Sequence, residues 1–378
     1  MKQIGFYQKI VLMLIVLFLF NCDRVRETEH HYHVGDGEYY GEYYPTDSWR
    51  TCSPEAVGMD SKKLEIVYDY AANQNIHTDG LLIVKKGYIV LEEYFRDFTK
   101  NSRHESYSVA KSFTNALIGI ALEKGLIGSI DERISKYYPE LKKPDVDIRK
   151  KGITIKNLLS MMSGLTWQEE GEFSHSEDDA FLMMDHDDYI KYVLDKPMRY
   201  NPGSKWYYSS GDTMLLSGIL EKSTGMSAFY FAKENLFSHI GLPDIEWAAD
   251  PLGHTITPWG IQGTLKEFAK FGFLYLNKGK WDGEQVVSEK WIDESLKPVF
   301  PPEIYFYGYQ WWLGSSFENY KAYDLPDDIF LAWGLYTQLV FVIPSHDLVI
   351  VRLGMDPYSS SDQWDEAEFI SLVLNAEK

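Results

Sequence analysis

What most constrains this chain is the placement of its strand-forming residues at its two ends, with helical patterns between them. Residues 81–84 (Leu-Leu-Ile-Val) and 88–95 flank Lys85-Lys86-Gly87 and predict a β-hairpin with glycine in its turn. Near the other end, residues 307–313, 339–343 and 348–353 are alternating or wholly apolar, and Pro344-Ser345-His346-Asp347 reads as the turn joining the last two. Between these ends the periodicity is helical: from Ser108 to a stop at 125–128, over 153–163 with its end at Gly164, over 213–222, and over the amphipathic run 265–276, with a turn cluster at 278–283. Ser53-Pro54-Glu55 ahead of Leu64, Val67, Tyr68 and Ala71 predicts a capped helix, and 364–376 predicts a closing one. Strands that leave and return around a helical middle predict an α+β fold. Its one sheet joins the N- and C-terminal segments, with helices flanking it and a mostly helical insert at about 113–300.

Three stretches in that frame carry chemistry. In Tyr107-Ser108-Val109-Ala110-Lys111 a helix starting at Ser108 brings Lys111 onto the same face one turn later. A free serine hydroxyl is too weakly acidic to attack at neutral pH, and a lysine desolvated by apolar neighbours can take its proton. The competing reading is a serine that caps the helix beside a solvated lysine. The second stretch, 201–212, places Tyr207 and Tyr208 after Pro202-Gly203 and just before a helix, where a phenol can point into a cleft. Core packing is the alternative for either, and Tyr208 is the better candidate. In the third, 330–338, Gly334 at a strand edge lets a substrate lie against the backbone, with the next N–H free to meet an oxyanion.

Together, Ser108-x-x-Lys111, Tyr208-x-Ser210 and Trp333-Gly334 resemble, in type and order, the serine β-lactamase-like hydrolases. The likeness is to the branch that holds class C β-lactamases, esterases and 6-aminohexanoate-dimer hydrolases, and it runs from about Ser53 to the C-terminus. The resemblance implies an antiparallel sheet and a serine hydrolase that cleaves an ester or amide of a small molecule or peptide through an acyl-serine. It implies Ser108 as nucleophile, Lys111 and Tyr208 as the proton-handling pair with the base left open between them, and the backbone N–H groups of Ser108 and Leu335 as oxyanion hole. Ser210, Trp333, Gly334 and Trp167 would line the substrate, and no metal or cofactor is required. Penicillin-recognising relatives usually carry Lys-Thr-Gly or His-x-Gly at the third motif, where this chain has Ala332-Trp333-Gly334, and Ser210 stands in place of the usual asparagine. Both departures favour an ester or amide with a less acidic acyl part over the alternative of a D,D-peptidase or β-lactamase. A catalytically silent scaffold of the same fold is a third reading.

The N-terminus is different in kind. Lys2 and Lys9 precede the apolar run 10–20, too short to span a bilayer and fitting for a signal peptide over 1–21. Leu19-Phe20-Asn21-Cys22 resembles a bacterial lipobox, which implies a lipidated Cys22 and an exported protein anchored in the cell envelope. Residues 22–52 then read as a polar tether ahead of a hydrolase domain at 53–378, with Cys52 as a lone packed thiol. The cluster Glu29-His30-His31-Tyr32-His33 could chelate a metal, though a mobile tether is a poor place for one. A net charge of −19 opposes nucleic acid as a partner. The acidic stretch 165–200 reads as a solvated loop and helix, or as a lid with Trp167 and Phe181 turned to the pocket.

Overall fold

The computed structural model describes residues 32–73, 75–169, 177–301, 303–314, 317–356 and 364–378. The leader, Cys22, His30, His31 and the acidic Glu170 and Glu172 lie outside these residues.

Lys86 and Gly87 both take positive φ, 51° and 82°. That pair is what a type I′ turn needs, so β1 (Thr78–Lys85) and β2 (Tyr88–Tyr94) form the expected hairpin. After β3 (His104–Glu105) the chain runs through its helical part. That part carries β4 (Glu246–Trp247), β5 (Ile261–Gly263), β6 (Lys280–Trp281) and β7 (Glu284–Gln285). It then returns as β8 (Trp312–Leu313), β9 (Phe330–Gly334), β10 (Gln338–Ile343) and β11 (Leu348–Gly354). The main sheet has the order β2-β1-β11-β10-β9-β8, antiparallel throughout, so N- and C-terminal segments meet at β1 and β11 as the strand distribution predicts.

Every residue of β1, β10 and β11 is buried, which requires cover on both faces. On one face lies the helix Leu265–Leu276, its bounds as read from the sequence. Its Gly272 permits close approach, since a Cβ there would sit 2.7 Å from Val349 and 2.9 Å from Val340. The helices Ser61–Ala71 and Glu366–Asn375 pack on each other, and Leu64, Val67, Phe369, Ile370 and Val373 on them are buried. The helix Val109–Glu123 is buried around its whole girth from Val109 to Ala121 and packs on the helix Ser210–Thr224. Such a helix is a core element, and groups on it are held rigidly.

Four expectations need correction. Ser53 does not cap the first helix: Pro54–Val57 is a separate 3₁₀ turn, and the Asp60 carboxylate accepts from Lys62 and Lys63 to start the helix. The helix expected over 153–163 is only Ile155–Leu159, because Met161 turns to φ 59°. Of 307–313 only Trp312–Leu313 is strand. Gln310 has φ 60°, and its buried amide is committed to Leu158 O, Leu159 O and the Thr213 hydroxyl. Residues 34–52 are not a free tether. Val34 and Thr51 bridge to Leu91 and Ile89, Gly35 N donates to Val90 O, and Cys52 N donates to Ile89 O, so this strap lies along the edge of β2. Cys52 is packed as expected, and burial pushes its thiol up to about 11.

Candidate active site

Ser108 is delivered by a strained turn. β3 pairs with β5 and is tied to the main sheet where His104 Nε2 lies 3.0 Å from Oδ2 of the buried Asp79 on β1. Tyr107 then takes φ 45°, costly for a residue with a side chain. Glu105 holds the turn by accepting from Tyr107 N, Gly260 N and the Gln262 amide. Ser108 stands at the N-cap position of Val109–Glu123, yet its side chain makes no capping bond. The capping alternative therefore fails, and so does its solvated lysine: Lys111 is 2% exposed.

Lys111 Nζ lies 2.9 Å from Ser108 Oγ, 2.9 Å from Ser210 Oγ and 3.2 Å from Pro258 O. Pro258 is brought there by Thr257, whose hydroxyl donates to Thr213 O and whose carbonyl accepts from Thr114. Burial holds the ammonium down to about 8, with Glu169 pulling the other way. At pH 7 roughly one molecule in ten then carries a neutral amine, against far fewer than one in a thousand for a free lysine.

The ring of Tyr208 lies under that nitrogen, 4.9 Å from Nζ to centroid, and stacks on Trp312. Tyr207 instead sits against Arg199. Of the two tyrosines it is therefore Tyr208 whose ring lies beside Lys111. Gly334 closes the other side of Ser108: a Cβ there would fall 2.5 Å from Ser106 O and 3.2 Å from Ser108 N, so only glycine lets β9 come so near. Leu335 follows it in the turn Leu335–Thr337, where Tyr336 and Thr337 have φ 58° and 60°. The Gln338 amide donates to Leu335 O and Tyr336 O, and the buried Arg352 donates to Tyr336 O and Thr337 O. The Tyr336 ring meets that of Tyr107 edge-on at 5.3 Å, so the two strained turns brace each other.

Two of the residues expected to line the substrate are buried. Trp167 is 1% exposed and packs over Gly211, where a Cβ would meet its ring at 2.6 Å. It is a wall of the helix Ser210–Thr224 and no lid. Ser210 is 0% exposed and faces Lys111 and Glu169, with no outward reach. Trp333 is half-buried in an aromatic wall with Trp312 and Phe317 that continues through Trp312 to Trp206 and Phe306. The residue that sequence reading missed is Glu169. Its carboxylate accepts from the Trp167 indole, from Ser210 N and from Ser210 Oγ. Its position in a run of acids hid it, although Trp-x-Glu is the local signal.

Among the described residues, Asp188, Asp250 and His254 bring ligand-type atoms within 4.8 Å of one another. Each already has a structural task. Asp250 accepts from Tyr189 N, Leu252 N and His254 N, Asp188 caps the helix Tyr189–Asp195, and His254 meets Glu221.

A family model described as Beta-lactamase matches residues 65–374, and the chain belongs to that family. It is a serine hydrolase of ester or amide bonds. The 6-aminohexanoate-dimer hydrolase of Paenarthrobacter ureafaciens is 24% identical over 310 residues, 76% of this chain and 75% of that protein. Among solved structures, a family VIII carboxylesterase superposes with TM-score 0.63 at 17% identity, covering 84% of this chain and 98% of the esterase. A penicillin-binding protein homologue from Caulobacter crescentus superposes with TM-score 0.63 at 14% identity, covering 83% and 95%.

Proposed function

We propose that Ser108 is the acyl-forming nucleophile and Lys111 the base that activates it. As Ser108 Oγ bonds to the substrate carbonyl carbon, its proton passes to the Lys111 amine and the carbonyl π-pair moves to oxygen. The backbone N–H groups of Ser108 and Leu335 receive that oxyanion. Collapse expels the alcohol or amine, which Tyr208 protonates, and water then releases the acyl group by the reverse sequence. The observation that carries this reading is a buried Lys111 Nζ 2.9 Å from a Ser108 hydroxyl that makes no capping bond. A fluorophosphonate probe is expected to label the wild type and not Ser108→Ala; labelling of that variant would refute the assignment.

The acyl portion is neutral and apolar in this reading. The third motif, where penicillin-recognising relatives usually carry a cation for the substrate carboxylate, holds Trp333 here, and Trp312 and Phe317 pack against it. A penicillin is therefore expected to acylate Ser108 poorly, and stoichiometric capture of a fluorescent penicillin by intact mass would restore the D,D-peptidase or β-lactamase reading. Export and lipid anchoring through Cys22 rest on the leader's sequence. In cells given an alkyne-tagged fatty acid, the chain is expected to take up the tag and Cys22→Ala to lose it.

A further inference from the structure

The proton traffic around Lys111 has a direction that geometry alone leaves open. A neutral amine has two hydrogens and one lone pair. To receive the Ser108 proton, the lone pair must face Ser108 Oγ, and the hydrogens must go to Pro258 O and Ser210 Oγ, the other atoms within reach. Pro258 O can only accept. Ser210 Oγ can accept or donate, and if it donated to the amine it would occupy the lone pair and leave Lys111 useless as a base.

Glu169 removes that freedom. An ionised carboxylate has no hydrogen to give, and Glu169 Oε1 lies against Ser210 Oγ while Oε2 takes Ser210 N and the Trp167 indole at 2.6 Å each. The hydroxyl hydrogen of Ser210 is thereby spent on Glu169, and its lone pairs can only accept from Lys111. We propose that Glu169 is a positioning residue for the hydrolysis, one that acts through Ser210 to turn the Lys111 lone pair to the Ser108 hydroxyl. Glu169 also sits at the N-terminal end of the helix Ser210–Thr224, where the helix dipole favours a negative charge.

The charged and titratable groups around this chain come from several elements. They include Glu169, the buried Asp178, Asp212 on the helix, and the phenols of Tyr208 and Tyr307. Asp212 is committed to Ser163, and burial lifts it to about 7. Glu169 acts on its neighbours in one sense, favouring the protonated forms of Lys111, Asp178, Asp212 and Tyr307.

The inference rests on Ser108 and Lys111 as nucleophile and base, and its test separates the two claims. Glu169→Gln in the full chain, assayed with a p-nitrophenyl ester, is expected to lower the kcat plateau about tenfold to a hundredfold with KM little changed. The acidic limb of kcat/KM is expected to move to lower pH, because the amine loses the negative charge that favoured its ammonium. Ser210→Ala cuts the same chain, so the double variant is expected to be no slower than the slower single one. An unmoved limb with wild-type kcat overturns the inference, as do losses that multiply in the double variant. A drop in thermal stability alone, with the limb unmoved, also overturns it, since that is what a mere helix cap would give. Should Glu169→Gln fail to fold, Ser210→Ala decides: a comparable fall in kcat supports the chain, and wild-type kcat sinks it. If Ser108→Ala still takes a fluorophosphonate, the nucleophile assignment itself has failed. If that labelling is lost while Glu169→Gln behaves as wild type, only the role of Glu169 falls.

Discussion

Lys111 shows most directly how function and stability oppose each other at single positions. Its ammonium is buried without a carboxylate in contact and is held down to about 8 from 10.5. Between those values the unfolded chain binds a proton that the folded chain does not, so stability rises with pH across the window from about 8 to 10.5. Below it the full cost stands, roughly 3 kcal/mol at the usual conversion. Lys111→Met is therefore expected to abolish ester turnover and yet raise the melting temperature at pH 7, with the gain shrinking toward pH 10, as differential scanning calorimetry at several pH values would record. A Met variant less stable than wild type at pH 7 would mean that the hydrogen bonds of the amine outweigh its desolvation. Wild-type kcat/KM is expected to climb as pH rises through about 8, where the amine becomes neutral. At this scale the sequence was informative about the pairing of Ser108 with Lys111, because the two sit three positions apart at the start of one helix, and Tyr208 does lie with its ring beside that lysine. It was silent on Glu169 and misleading on Ser210 and Trp167, because which way those side chains point is set by the packing of the 160s segment on a helix forty residues later.

Among the elements, those with a strong local signal lie where the sequence puts them. The hairpin of β1 and β2 follows from its turn, and Leu265–Leu276 from its apolar stripe and the Thr264–Glu267 capping box. Met161 and Gln310 were illegible because their left-handed backbones answer to distant partners, Gln310 through its amide bonds to 158, 159 and 213. The turn after β9 is held in the same way. Arg352 is fully buried on β11, paired with Asp356 at 2.6 Å, and reaches across to the carbonyls of Tyr336 and Thr337. Arg352→Met should let the Leu335–Thr337 turn relax, lowering the rate of fluorophosphonate acylation and costing about 3 kcal/mol, since the buried Asp356 keeps its bonds to His77 N and the Thr337 hydroxyl but loses its cation. Denaturant melts and labelling kinetics on one preparation would check both, and acylation at the wild-type rate would show that the turn holds itself.

Over the whole molecule, the meeting of the chain's two ends in one sheet was legible because strand patterns survive at both ends. The strap was not, because its composition is that of a linker and its order comes from bonds to β2 and to the helix beyond. Trp49 donates to Lys266 O, and Lys270 donates to Thr46 O. Deleting residues 32–52 is expected to lower the melting temperature by several degrees and to leave Ser108 labelling intact in whatever remains folded; an unchanged melting temperature would make the strap dispensable.

That strap has a consequence for how copies of the chain behave toward one another. It engages the N–H and C=O of Ile89 together with the carbonyl of Val90 on the last strand of the sheet. Peeled back, it would uncover a straight ladder of hydrogen-bonding groups, a template on which a second molecule could zip its own β2. Proteolytic trimming there would then let two copies close into an edge-to-edge dimer, a hazard that an intact N-terminal segment suppresses by occupying the place itself.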